Sequence, residues 1–146
     1  MAREAFAFSQ RLRVRWAEVD KQNIVFNGHY LTYFDVTVTE YWRAIGLPYP
    51  ETGAGTGSEL YTVKATVEYH RPAHYDDWLD VHIRCTRIGR SSLRFLLEIW
   101  RDDEHLVSGE LVYVNADPAT QKSAPVPGKL VDAIVGFERT APERAA

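Results

Sequence analysis

Cysteine is almost absent from this chain: Cys85 is the only one in 146 residues. An intrachain disulfide is therefore impossible, and a cysteine-built metal cluster is excluded. Long apolar runs are missing as well; none approaches the roughly 20 residues that a membrane-spanning helix needs. Residues 1–10 hold no apolar stretch followed by a small-residue cleavage site, so no secretory leader is visible and a cytoplasmic location is the default expectation. Basic excess is lacking too. Seventeen Lys and Arg face 20 Asp and Glu, for a formal net charge of −3, which offers nucleic acid no broad basic face. No Gly-x-Ser-x-Gly elbow occurs, and the segment 50–58, with Gly53, Gly55 and Gly57, lacks the Gly-Lys-Ser/Thr ending of a phosphate-binding loop. That segment reads as a flexible loop. Cys85 sits among alternating apolar positions and reads as a core residue rather than a nucleophile.

What is present fits one soluble domain. The length suits a single core, and 45% hydrophobic with 25% charged residues is ordinary for a globular protein. Phe6, Phe8, Leu12, Val14 and Trp16 share one parity, while Ser9, Arg11, Arg13 and Arg15 share the other; this is a half-buried strand. The period then changes. Over residues 28–46, Tyr30, Phe34, Val38, Tyr41 and Ile45 recur at helical spacing, with Asp35, Thr39 and Arg43 as a single polar stripe. Leu31, Tyr33, Val36 and Trp42 widen the apolar surface beyond one face, so something must wrap this helix. Four more strands follow, over about 61–69, 79–85, 93–99 and 106–115, separated by short turn signals that imply antiparallel hairpins. Residues 129–137 read as a short terminal helix, and the tail from Thr140 as frayed. The pattern predicts an α+β fold, a five-stranded antiparallel sheet curled around one long helix.

The loop between the first strand and the helix holds the candidate chemistry. Asp20 lies seven residues before Asn27, at the predicted helix start. Such a spacing aims a carboxylate and the unpaired N–H groups of a helix N-terminus at one carbonyl. Each residue also has a plainer reading: Asp20 as an Asx-turn, and Asn27 as an ordinary N-cap. Glu18, two residues before Asp20, reads as a solvated surface carboxylate or, on an extended segment, as a partner coupled to Asp20. His29 reads as a packed or hydrogen-bonded residue beside the helix rather than an acid. His70 and His74 are separated by four positions, but Pro72 lies between them, so a helical metal pair is not expected.

Several of these residues carry a resemblance. The run Val14-Arg15-Trp16-Ala17-Glu18-Val19-Asp20, then Ile24-Val25-Phe26-Asn27-Gly28-His29-Tyr30 and Tyr33-Phe34-Asp35, is similar to the hot-dog-fold thioesterases of the 4-hydroxybenzoyl-CoA thioesterase-like family. Arg71-Pro72-Ala73, followed by Asp76, Asp77 and Leu79, is a second matching region, and the likeness covers about residues 6–138. Asn23 stands where many relatives have Gly, and Asn tolerates positive φ better than most residues.

The resemblance implies an acyl-CoA thioesterase with Asp20 as general base or nucleophile and Asn27, Gly28 and His29 at the oxyanion or substrate site. It implies that Arg87, Arg90, Ser91 and Ser92, at the turn after the third strand, meet the phosphates of coenzyme A; the same four residues also read as a solvated hairpin tip. No separate cofactor and no metal are expected, because coenzyme A is part of the substrate. A homodimer or homotetramer is expected, with the substrate channel between subunits. Trp16, Tyr30, Phe34 and Tyr61 are candidates for an aromatic acyl pocket or for core. Two other activities fit a hot-dog module: binding of acyl thioesters without hydrolysis, and hydration or dehydration of an enoyl thioester.

Overall fold

The computed structural model describes residues 2–145. Strand β1 (Phe8–Arg13) leads through a 3-10 turn (Trp16–Glu18) to the long helix α1 (His29–Ala44). Strands β2 (Glu59–Tyr69), β3 (Trp78–Ile88), β4 (Ser92–Arg101) and β5 (Glu104–Ala116) follow. The chain closes with helix α2 (Gly128–Phe137) and a two-residue strand, β6 (Glu143–Arg144). The sheet order is β1-β3-β4-β5-β2, antiparallel throughout, with β6 added in parallel to the end of β3. The expected hot-dog arrangement is what the molecule adopts, with a sixth strand beyond the five expected. The tail is not frayed: Glu143 and Arg144 pair with Arg87 and Ile88, and Glu143 also forms an ion pair with Arg87.

Alternation sets the two faces of the sheet. Leu79, Val81, Ile83 and Cys85 of β3, with Leu93, Phe95, Leu97 and Ile99 of β4, are fully buried under α1. From the helix come Phe34 and Tyr41, also fully buried. The helix seats closely at one point. A Cβ on Gly109 would lie 2.3 Å from the Phe34 ring, so only glycine permits this approach. Burial pushes the Cys85 thiol up to about 12, with the Glu138 carboxyl adding to it, so the thiol is an inert core group. Glu138, just past α2, is a buried carboxyl whose Oε2 accepts from the Tyr41 hydroxyl (2.6 Å) and the Cys85 N–H (2.8 Å). Burial raises it above the ordinary carboxylate range, against the pull of those two bonds.

Wrapping of α1 is incomplete. Leu31 and Val36 are 43% and 41% exposed. Beside them β2 forms one edge of the sheet, and Val63 and Tyr69 on it are 59% and 54% exposed. The 50–58 loop is more ordered than its composition implied. It contains a 3-10 turn (Glu51–Gly53), and the buried Asn115 amide donates to Ser58 Oγ at 2.9 Å.

Candidate functional site

At one end of the sheet, residues 19–25 fold back on themselves. Val19 bridges to Val25, and Ile24 bridges to His74. Within this loop Asp20 closes a tight turn: its N–H donates to the Ile24 carbonyl and its carbonyl accepts from the Asn23 N–H, both at 2.9 Å. Asn23 has φ 65°, the left-handed conformation its side chain type tolerates. Asp20 Oδ1 accepts from the Gln22 N–H at 2.8 Å. The Asx-turn therefore exists, and it orients the carboxylate rather than exhausting it. Oδ2 has no hydrogen-bond partner among the described residues.

The chain then enters α1 through a short turn. The structural N-cap is Gly28, at φ −69° and ψ −22°, with no side-chain cap, so Asn27 sits one position before the cap expected of it. The His29 N–H donates to the Phe26 carbonyl at 2.9 Å, and its ring packs edge-on against Phe26 at 5.7 Å. His29, expected at the oxyanion or substrate site, thus has its N–H engaged within the turn. Its N–H is occupied because the first turn closes one residue earlier than the α-helix. The N–H groups of Asn27 and Gly28 have no partner among the described residues.

A cavity of about 340 Å³ brings these pieces together. It is lined by Asp20, Gln22, Ile24, Val25, Asn27, Tyr30, Tyr69, His70, Arg71 and Pro72. Tyr30 is anchored there, its hydroxyl accepting from the Ala73 N–H at 3.2 Å; burial raises that phenol and keeps it protonated. Tyr69 packs on Tyr30 with ring centroids 5.5 Å apart, and its hydroxyl donates to the Asn27 carbonyl at 3.1 Å. Tyr69 escaped the sequence reading. Its alternation within β2 looks like that of any strand tyrosine, and only the fold brings it to Asn27.

Other expected members lie elsewhere. Trp16 is 71% exposed and packs edge-on against Tyr75, because the chain leaves β1 at Arg13 and turns before Trp16 can continue the alternation. Phe34 belongs to the core, and Tyr61 does not line the cavity. Glu18 is buried, not solvated. Its Oε1 accepts from the Arg15 N–H (2.8 Å) and the Tyr33 hydroxyl (2.9 Å), and Oε2 accepts from the Arg15 guanidinium (2.6 and 2.9 Å). Burial pushes this carboxyl up, but the Arg15 and Tyr33 bonds outweigh it and hold it below its ordinary value.

His70 and His74 point to different partners. His70 Nε2 bonds Ser108 Oγ at 2.9 Å, while His74 Nδ1 lies 3.4 Å from the Arg101 guanidinium. Among the described residues no group of three or more His, Cys, Asp or Glu is arranged to hold a metal ion. No helix among them is long and apolar enough to cross a membrane.

Arg87, Arg90, Ser91 and Ser92 lie at the other end of the sheet. β3 runs from Trp78, beside the cavity loop, to Ile88, roughly 33 Å away at strand rise. Arg87 is engaged by Glu143, whereas Arg90 is exposed at the hairpin tip. Within one chain, then, the fold does not bring this turn to Asp20.

Known proteins share this chain's family and fold. Residues 22–108 match the family model described as Thioesterase superfamily. The chain is 32% identical over 96 residues to a putative esterase of Aquifex aeolicus, covering 66% of this chain and 74% of that protein. It is 26% identical over 125 residues to the acyl-CoA thioester hydrolase YbgC of Escherichia coli, covering 85% and 92%. Among solved structures, a Thermus thermophilus thioesterase complexed with coenzyme A and Zn superposes with TM-score 0.81 at 27% identity, over 92% of this chain and 96% of that one. A 1,4-dihydroxy-2-naphthoyl-CoA thioesterase from Synechocystis shares the fold, with TM-score 0.80 at 21% identity over 87% and 94%. With its family model matched over most of its length and its cavity built where the motif lies, the chain belongs to the Thioesterase superfamily.

Proposed function

We propose that this protein hydrolyses acyl-CoA thioesters. The observation that carries the reading is that Asp20, with one carboxylate oxygen free, and Asn27 line one cavity, while the N–H groups of Asn27 and of the next residue, Gly28, are unpartnered at the start of a 16-residue helix. The thioester oxygen accepts from the Asn27 and Gly28 N–H groups, where the helix dipole favours the negative charge that develops during attack. Asp20 either takes a proton from the water that attacks the carbonyl carbon or attacks that carbon itself. The C–S bond breaks, and the coenzyme A thiolate leaves and is protonated. In the second route water then cleaves the acyl–Asp20 anhydride. The two routes differ in that anhydride, which only direct attack forms and which mass spectrometry of enzyme quenched during a single turnover detects.

The working unit in this reading is at least a dimer. β2 is a long open edge, and the exposed Val63, Leu31 and Val36 continue that edge onto the helix. Antiparallel pairing of two β2 strands across a two-fold axis sets the Glu59 end of one beside the Tyr69 end of the other. The hairpin at Arg90, Ser91 and Ser92 then comes to the same end of the assembly as the other chain's Asp20. An extended coenzyme A molecule can run between them, its phosphates on Arg90 with Arg87 nearby.

The test is turnover of an acyl-CoA panel by wild type and by Asp20→Asn, with mass measured by light scattering. Hydrolysis that collapses in the variant, from a particle at least twice 16.7 kDa, supports the reading. Binding of acyl-CoA with no turnover by wild type defeats it.

A further inference from the structure

We propose that Tyr69 is a positioning residue of the oxyanion turn, acting through the peptide that joins Asn27 to Gly28; this rests on the hydrolase reading above. In a trans peptide the C=O and N–H vectors are fixed and antiparallel. Whatever holds a carbonyl therefore holds the N–H of the next residue. Both candidate donors belong to peptides whose carbonyl is bonded. The Phe26 carbonyl, sharing a peptide with the Asn27 N–H, accepts from the His29 N–H at 2.9 Å. The Asn27 carbonyl, sharing a peptide with the Gly28 N–H, accepts from the Tyr69 hydroxyl at 3.1 Å.

The first bond is local and comes with the helix. The second spans 42 positions in the sequence and ties the turn to β2. No other hydrogen bond holds the Asn27 carbonyl among the described residues. Gly28 has no side chain to restrict its rotation, so without Tyr69 the 27–28 peptide is free to turn. Tyr69 itself is held by edge contact with Tyr30, whose hydroxyl is anchored to Ala73. A hydrogen bond to the carbonyl also polarises the peptide and strengthens its N–H as a donor.

The test is Tyr69→Phe, which keeps the ring on Tyr30 and removes only the hydroxyl. The expected result is a kcat lower by about 10-fold with KM within about 2-fold and an unchanged melting temperature. Two inert analogues give a second readout. A phosphonate analogue, with the thioester carbonyl replaced by a phosphonate, sets an anionic oxygen where the oxyanion develops and should bind the variant about 10-fold more weakly. A thioether analogue, with the carbonyl replaced by methylene, should bind both proteins alike. Equal weakening of both analogues would assign Tyr69 a packing role and overturn the proposal, as would an unchanged kcat. If Asp20→Asn is inactive while Tyr69→Phe matches wild type, only this inference fails. A wild-type protein that binds neither analogue overturns the hydrolase reading along with it.

Discussion

Glu18 lies at the end of the Trp16–Glu18 turn and Asp20 in the turn that follows, and the two carboxylates live in opposite surroundings. Glu18 is 5% exposed and takes four hydrogen bonds from Arg15 and Tyr33. Asp20 is half-buried, takes one bond from a neighbouring N–H and faces a cavity. A carboxylate with all its lone pairs answered is a structural clamp, and one with an oxygen left over toward a cavity is available for chemistry. Position in the motif does not distinguish them; the count of satisfied lone pairs does.

The largest effect that would sharpen this contrast is on activity. Asp20→Asn should lower kcat by roughly 10²- to 10⁴-fold while leaving the unfolding midpoint near wild type. Glu18→Ala should do the reverse. It leaves the buried Tyr33 hydroxyl and the Arg15 N–H without their acceptor, so urea unfolding should show a loss of about 1–3 kcal/mol, with kcat per folded molecule changed far less than in Asp20→Asn. A Glu18→Ala protein as stable as wild type, or as inactive as Asp20→Asn, would break the comparison.

Smaller effects follow from pH. The folded-state Glu18 carboxyl lies below its ordinary value, so its stabilisation is present above the unfolded carboxylate pKa and is lost as pH falls through the folded value. The deficit of Glu18→Gln against wild type should therefore shrink on acidification. Glu138 runs the other way. Its raised carboxyl contributes most when protonated, and that contribution is lost as pH rises from the unfolded toward the folded pKa. Glu138→Gln should gain on wild type as pH rises through that window. Unfolding free energies of the three proteins across pH would show slopes of opposite sign.

Much of this molecule was legible from its sequence. The switch from period two to period 3.6 located β1 and α1, and turn residues located the later strands within a few positions. That Asp20 and Asn27 share one cavity was legible because both lie on one local loop. What escaped depends on long-range contact. Glu18 looked solvated, since nothing in a sequence announces that Tyr33 and Arg15 will close over it. Trp16 continued the β1 alternation on paper, but the backbone turns before reaching it. Tyr69 meets Asn27 only once β2 lies beside the helix N-terminus, and the tail looked polar enough to fray until β6 found the end of β3. The engagement of the His29 N–H was equally hidden, for a local reason: an early 3-10-type bond to the Phe26 carbonyl uses it.

The roughly 33 Å run of β3 has a genetic corollary in the proposed dimer. The chemistry and the nucleotide grip of each site come from different copies of one gene product. A chain crippled at Asp20 and a chain crippled at Arg90, paired together, concentrate both defects in one site and leave the other whole. Two alleles, each inactive or weak by itself, can thus complement within a single particle, and the sheet's length is what makes this so.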